Sequence, residues 1–153
     1  MPLPLGRHVA SRVLVVVAVW AVVGVGCGGH SDRSYSATRF AQCMDGRGVT
    51  TQRMDTSPSQ NRYFDVLHRL AAQAGQQNGA LEAFNNDAMP NASTIYFLFF
   101  RDGSAASRAK ERLGAVAVRT DELAVNGNLL RVASSETDAQ RRIIQECLDK
   151  SGS

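Results

Sequence analysis

The chain downstream of position 35 predicts an α+β fold, a two-layer domain with a mostly antiparallel or mixed sheet and helices on one face, preceded by an export signal. Three observations carry that expectation. Apolar residues recur at helical spacing in separate segments around Phe40–Met44, Phe64–Ala74, Ala106–Leu113 and Ile143–Leu148. Between them lies a run rich in aromatic and aliphatic residues, Ile95-Tyr96-Phe97-Leu98-Phe99-Phe100, which reads as a central strand. Asn126-Gly127 stands between two short aliphatic stretches, the strongest local signal for a β-hairpin. Helices and strands mixed in this way, with a hairpin among them, point to helices covering a sheet.

Taken in order, Ser34 or Ser36 caps a first helix whose stripe is Phe40, Cys43 and Met44 and whose end is marked by Gly46 and Gly48. A short strand follows at 49–54. Thr56-Ser57-Pro58-Ser59 supplies cap and proline for a second helix, with Phe64, Leu67, Leu70, Ala71 and Ala74 inward and Gly75 at its end. Ala80–Phe84 reads equally as a short strand or a helical turn. The 95–100 strand is apolar on both faces, so both faces are expected to be covered. Arg101-Asp102-Gly103 ends it, and a third helix follows from about Ser104 to Leu113, with Ala106, Ala109 and Leu113 inward and Gly114 as its stop.

A two-residue turn at Asn126-Gly127 pairs Val125 with Asn128, Leu123 with Leu130 and Asp121 with Val132, and it sets Glu122 directly opposite Arg131. A turn at Gly127-Asn128 is the disfavoured alternative, expected to pair Ala124 with Arg131 and to part the aliphatic residues of the two strands. Ser135-Glu136-Thr137-Asp138 resembles a capping box for the last helix, with Asp in the Glu position.

The first 26 residues have a different character. Arg7, His8 and Arg12 precede an uncharged apolar run from Val13 to Gly26, the layout of a secretory signal and short for a spanning helix. The chain after it is expected on the outer side of the cytoplasmic membrane. Val23-Gly24-Val25-Gly26-Cys27-Gly28-Gly29 resembles the lipobox of bacterial lipoproteins, with Gly24 standing where an aliphatic residue is usual. The resemblance implies a lipid on Cys27 and hence a membrane as partner, with 27–35 as a Gly- and Ser-bearing tether and 36–150 as a single domain. An ordinary signal peptide and an uncleaved anchor remain the alternatives.

The same likeness reaches further along the chain. Phe40-x-x-Cys43-Met44 followed by Gly, the aromatic strand before an Ala-rich helix, and Gly127-Asn128-Leu129-Leu130-Arg131-Val132 before a helix with Cys147 resemble a loose group of exported lipoproteins of high-GC actinobacteria. That implies an envelope location and a terminal disulfide, and it brings no activity and no catalytic residue. Cysteine arithmetic runs the same way. With Cys27 acylated, Cys43 and Cys147 remain as a pair in an oxidising compartment. Two separate buried thiols are the alternative.

Composition excludes some function classes. With Arg7 and Arg12 in the export segment, the remaining chain carries 15 basic against 14 acidic side chains, so no basic surface for nucleic acid is expected. No spacing suits a metal or a cofactor, and none is expected. His68, one turn from Asp65, is the single general-base candidate; a solvated helix-surface pair accounts for it more simply. Arg141-Arg142 reads as a solvated face. The resulting expectation is an exported envelope lipoprotein with a small, non-catalytic binding or scaffold domain. A hydrolase using His68 with a loop serine and an uncleaved single-pass interaction protein are the competing readings.

Overall fold

The computed structural model describes residues 33–84, 94–117, 122–134 and 136–153. Four helices, α1 (Ala37–Asp45), α2 (Arg62–Gln77), α3 (Gly103–Gly114) and α4 (Asp138–Ser151), surround one sheet. Its strands are β1 (Thr50–Arg53), β2 (Gly79–Phe84), β3 (Ile95–Phe99), β4 (Leu123–Asn126) and β5 (Leu129–Val132), in the order β1-β2-β3-β5-β4 and antiparallel throughout. The fold is therefore α+β with the aromatic strand β3 at the centre.

Both faces of β3 are covered, and helices do it on each side. Leu98 and Phe100 pack with α2 and α3, among Leu67, Leu70, Ala106 and Leu113. Ile95, Phe97 and Phe99 turn the other way, into a core made with Phe40, Met44, Ile144 and Leu148 of α1 and α4. Phe40 lies with its ring centroid 4.8 Å from Phe97 and 5.5 Å from Phe99, tilted contacts that add to the area they bury. The expectation of helices on one face is corrected accordingly, to three layers. An all-apolar strand cannot leave one face to water, and the helices nearest the two ends of the domain supply the second cover.

Several boundaries also move. The cap of α2 is Asn61, whose side chain accepts from the N–H groups of Tyr63 and Phe64, rather than the 56–59 group. Phe64 is then on the outside at 38% exposure, and Gly75 lies within the helix. Ala80–Phe84 is strand. The capping box of α4 is Thr137 with Gln140, two residues beyond the expected one, because Gln140 can reach back to the Thr137 N–H at 2.7 Å.

The hairpin uses the register that was disfavoured. Asn126 pairs with Leu129, Val125 with Leu130, Ala124 with Arg131 and Leu123 with Val132, so the turn residues are Gly127 and Asn128. Gly127 has φ +54° and Asn128 a negative φ, the pattern of a type II′ turn with Gly first. Moving a turn by one residue shifts each partner by two, so Leu123, Val125, Leu130 and Val132 share a face in either register. The aliphatic pattern does not discriminate, and the expected separation was an error of parity. Arg131 is not directly opposite Glu122; it forms an ion pair at 3.4 Å with Glu136, whose side chain is 6% exposed.

The true register is set by contacts far away in sequence. Asn128 is 1% exposed and its side chain is fully engaged: Oδ1 accepts from the Tyr35 N–H at 2.7 Å, and Nδ2 donates to the carbonyls of Phe100 (2.7 Å) and Tyr35 (3.2 Å). A Cβ on Gly127 would lie 2.0 Å from the Arg33 carbonyl oxygen, so glycine is required where the incoming chain crosses the turn.

At the same end, Tyr35 forms a bridge with Gly152, and Ser153 N–H donates to the Ser34 carbonyl at 3.0 Å. The domain thus takes in Arg33–Tyr35, which the sequence placed in the tether, and the residues after Lys150.

Cys43 on α1 and Cys147 on α4 stand at disulfide distance, 2.07 Å between sulfurs and 5.5 Å between Cα atoms. The Arg47–Glu146 ion pair ties the turn after α1 to α4.

Candidate functional site

One groove follows from a mismatch in strand length. β1 has four residues and its neighbour β2 six, so the first residues of β2 lie beyond the end of the edge strand. α1 and α2, on opposite faces of the sheet, rise on either side of this gap. The result is a groove of about 650 Å³, within the range of small-ligand sites.

Its walls are built from small residues. One stripe of α1 supplies Ala37, Thr38 and Ala41, and α2 supplies Ala71, Ala72 and Gly75, with Gly79 and Ala80 of β2 as the floor. Gly79 has φ +144°, and a Cβ there would meet that of Ala37 at 2.6 Å, so this glycine is what lets α1 close onto the sheet edge. The rim is polar: Gln42, Asp45, Arg53, Thr56, Gln76 and Asn78. Asp45 accepts from the Thr51 N–H at 3.2 Å, and Asn78 Nδ2 donates to the Tyr35 carbonyl at 2.7 Å. With one acidic and one basic side chain, the groove suits a neutral or weakly charged ligand rather than a polyanion.

Gly75 differs from Gly79. It sits in α2, its φ is ordinary, and a Cβ there would meet nothing within 4 Å. Glycine inside a helix costs about 0.5–1 kcal/mol relative to alanine, and no contact of the fold requires it. What it preserves is open space in the groove wall. Gly75→Ala is expected to raise stability by about 0.5–1 kcal/mol, read by urea unfolding; a loss of stability would mean that the wall closes there in solution.

His68 is not among the groove-lining residues. Its Nδ1–H donates to the Ser57 carbonyl, which ties the 55–60 loop to α2. Asp65 pairs with Arg69 at 2.7 Å and does not orient the imidazole, so the Asp65–His68 relay, the less favoured of the two readings, is not formed. Ser57 is drawn to Asp55 instead, its N–H donating at 2.9 Å. Those bonds from Ser57, with the nearby His68 charge contributing less, hold the Asp55 carboxyl below its ordinary value. Asp102, the cap of α3, is lowered chiefly by the Ala105 N–H and then by Arg101. Arg141 of the last helix is exposed and pairs with Asp138.

Two tyrosines sit beside acidic residues at the far end of the sheet. Burial first, and then Glu122 for Tyr63 and Glu82 for Tyr96, push both phenol pKa values above 10. A raised acid pKa in the folded state leaves stability intact below pH 10 and removes it as pH climbs through the folded values. Denaturation followed across the alkaline range is expected to show stability falling above pH 10, with a shallower fall in Tyr96→Phe; an unchanged slope in that variant would refute the assignment.

Cys27, the export segment 1–26 and the tether as far as Asp32 lie outside the described residues. Among the described residues no helix is long and apolar enough to cross a membrane, and no group of three or more His, Cys, Asp or Glu is placed to hold a metal. Comparison of the chain with family models, with curated proteins and with solved structures found no match.

Proposed function

We propose that this protein is an exported lipoprotein, held on the outer side of the cytoplasmic membrane by a lipid on Cys27, whose domain binds a small neutral ligand or chain segment in the α1–α2 groove without chemical conversion. The observation that carries the binding reading is the groove itself. It is a cleft of about 650 Å³ with open space at Gly75, where a Cβ would meet nothing within 4 Å. The export reading is supported by the charged-then-apolar start before Cys27 and by a cysteine pair at disulfide distance, an arrangement suited to an oxidising compartment.

Cys27→Ser separates the parts of this reading. Intact mass of the native protein is expected to show a chain beginning at a diacylglyceryl-modified Cys27, and the serine variant is expected in the soluble fraction. A mature chain with another start, or membrane retention of the variant, overturns the lipid anchor. For the groove, methyl signals of Ala37, Ala41, Ala71 and Ala72 are expected to shift when small-molecule fractions of the envelope are titrated in, and to stay still in Gly75→Leu. Equal shifts in both proteins would place binding elsewhere.

A further inference from the structure

The path of the chain sorts the domain into two ends. α1, β2, α3 and β5 start from the end where Tyr35 enters, and β1, α2, β3, β4 and α4 run back to it. That entry end is closed by the Tyr35–Gly152 bridge and by Asn128, whose side chain holds Tyr35 and Phe100 together. The first residue fixed there is Arg33, whose carbonyl accepts from the Asn128 N–H at 3.3 Å. Six peptide steps lie between Cys27 and Arg33, so they span about 20–22 Å at most whatever their conformation. α2 alone, with 16 residues, is about 24 Å long at 1.5 Å per residue. A tether no longer than the domain, joined to one end of it, cannot present the two ends equally.

From this we infer that the phospholipid surface carrying the Cys27 lipid lies against the entry end, around Arg101, Lys150 and Gly152. This rests on the lipid-anchor reading above. The far end, where Asn61, Phe64 and Arg47 lie, then faces away from the membrane. Phe64, 38% exposed and in edge contact with Tyr63 at 5.4 Å, lies at that outer end. The groove begins beside the membrane at Ala37 and Asn78 and extends outward along α1. The exposed cations Arg33, Arg101 and Lys150 are accompanied by Asp102 and Asp149. Orientation is therefore imposed by tether length rather than by attraction to anionic lipid, and it is insensitive to salt.

The test uses the native lipidated protein in phosphatidylethanolamine/phosphatidylglycerol vesicles containing a headgroup spin-labelled lipid. Paramagnetic broadening of the Arg101, Lys150 and Gly152 amides is expected to exceed that of Arg47, Asn61 and Phe64 several-fold, at low and high salt alike. A Gly/Ser insertion after His30 that doubles the tether is expected to reduce the contrast. Equal broadening at the two ends, or stronger broadening at Phe64, overturns the orientation. A protein that does not float with the vesicles, or whose mass shows no lipid, overturns instead the anchor on which it rests.

Discussion

Reduction of the Cys43–Cys147 bond is expected to lower the thermal midpoint by about 15–20 °C. The two cysteines are 104 residues apart in sequence, and a cross-link closing a loop of about 100 residues stabilises by about 4.7 kcal/mol in the chain-entropy model. In a domain of this size each kcal/mol moves the midpoint by roughly 4 °C. Little of that is recovered by packing when the bond is broken, because Cys147 is fully buried between α1 and α4 and the reduced sulfurs must move apart in a close-packed core. Calorimetry with and without reductant measures the shift, and non-reducing peptide mapping shows whether the native protein carries the bond. Free thiols at both positions in material purified without reductant would sink the prediction, as would a shift of only a degree or two.

Asn128→Ala is expected to cost about 3–4 kcal/mol, an effect large for a turn residue. The substitution strips Tyr35 N–H and the Phe100 carbonyl of their side-chain partner in a place from which water is excluded, and each orphaned buried group costs about 1–3 kcal/mol. The Tyr35 carbonyl keeps Asn78 at 2.7 Å, which limits the damage. Asn128→Asp retains the acceptor and loses both donors, and it buries a charge, so it should be no better than alanine. Urea unfolding gives the magnitude, and amide exchange at Tyr35 and Ser36 locates it: exchange there should accelerate well beyond that of β3. A loss below about 1 kcal/mol, or unchanged protection at Tyr35, would mean that the chain entry is held without the Asn128 side chain.

Much of the architecture was legible before any coordinates. The spacing of Leu67, Leu70, Ala71 and Ala74 specifies a helix with one buried face, and the aromatic run at β3 specifies a strand hidden on both sides, because local periodicity records how many faces of an element meet the core. The pairing of Cys43 with Cys147 was open to reading on another ground, since setting Cys27 aside leaves two cysteines for an oxidising compartment. What periodicity does not record is which partner covers which face. The requirement that β3 be covered twice was readable, whereas the assignment of α1 and α4 to its second face depends on the chain's route and appeared only with the fold.

The hairpin shows the boundary most clearly. Asn-Gly between aliphatic runs determined that these strands pair, and it misplaced the turn by one residue, because the alternation of apolar side chains is the same in both registers. The choice belongs to Tyr35 and Phe100, 93 and 28 residues from Asn128, whose backbone groups need its amide inside the turn. The groove is of the same kind. Ala37, Ala41, Ala71, Gly75 and Gly79 look like ordinary small residues of separate elements, and they become the walls and floor of one groove only where a four-residue edge strand stops short of its neighbour. The sequence by itself determined the class of fold and its elements other than β2. The tertiary structure decided the third layer, the register and the site, since each depends on contacts between residues whose separation leaves no periodic trace.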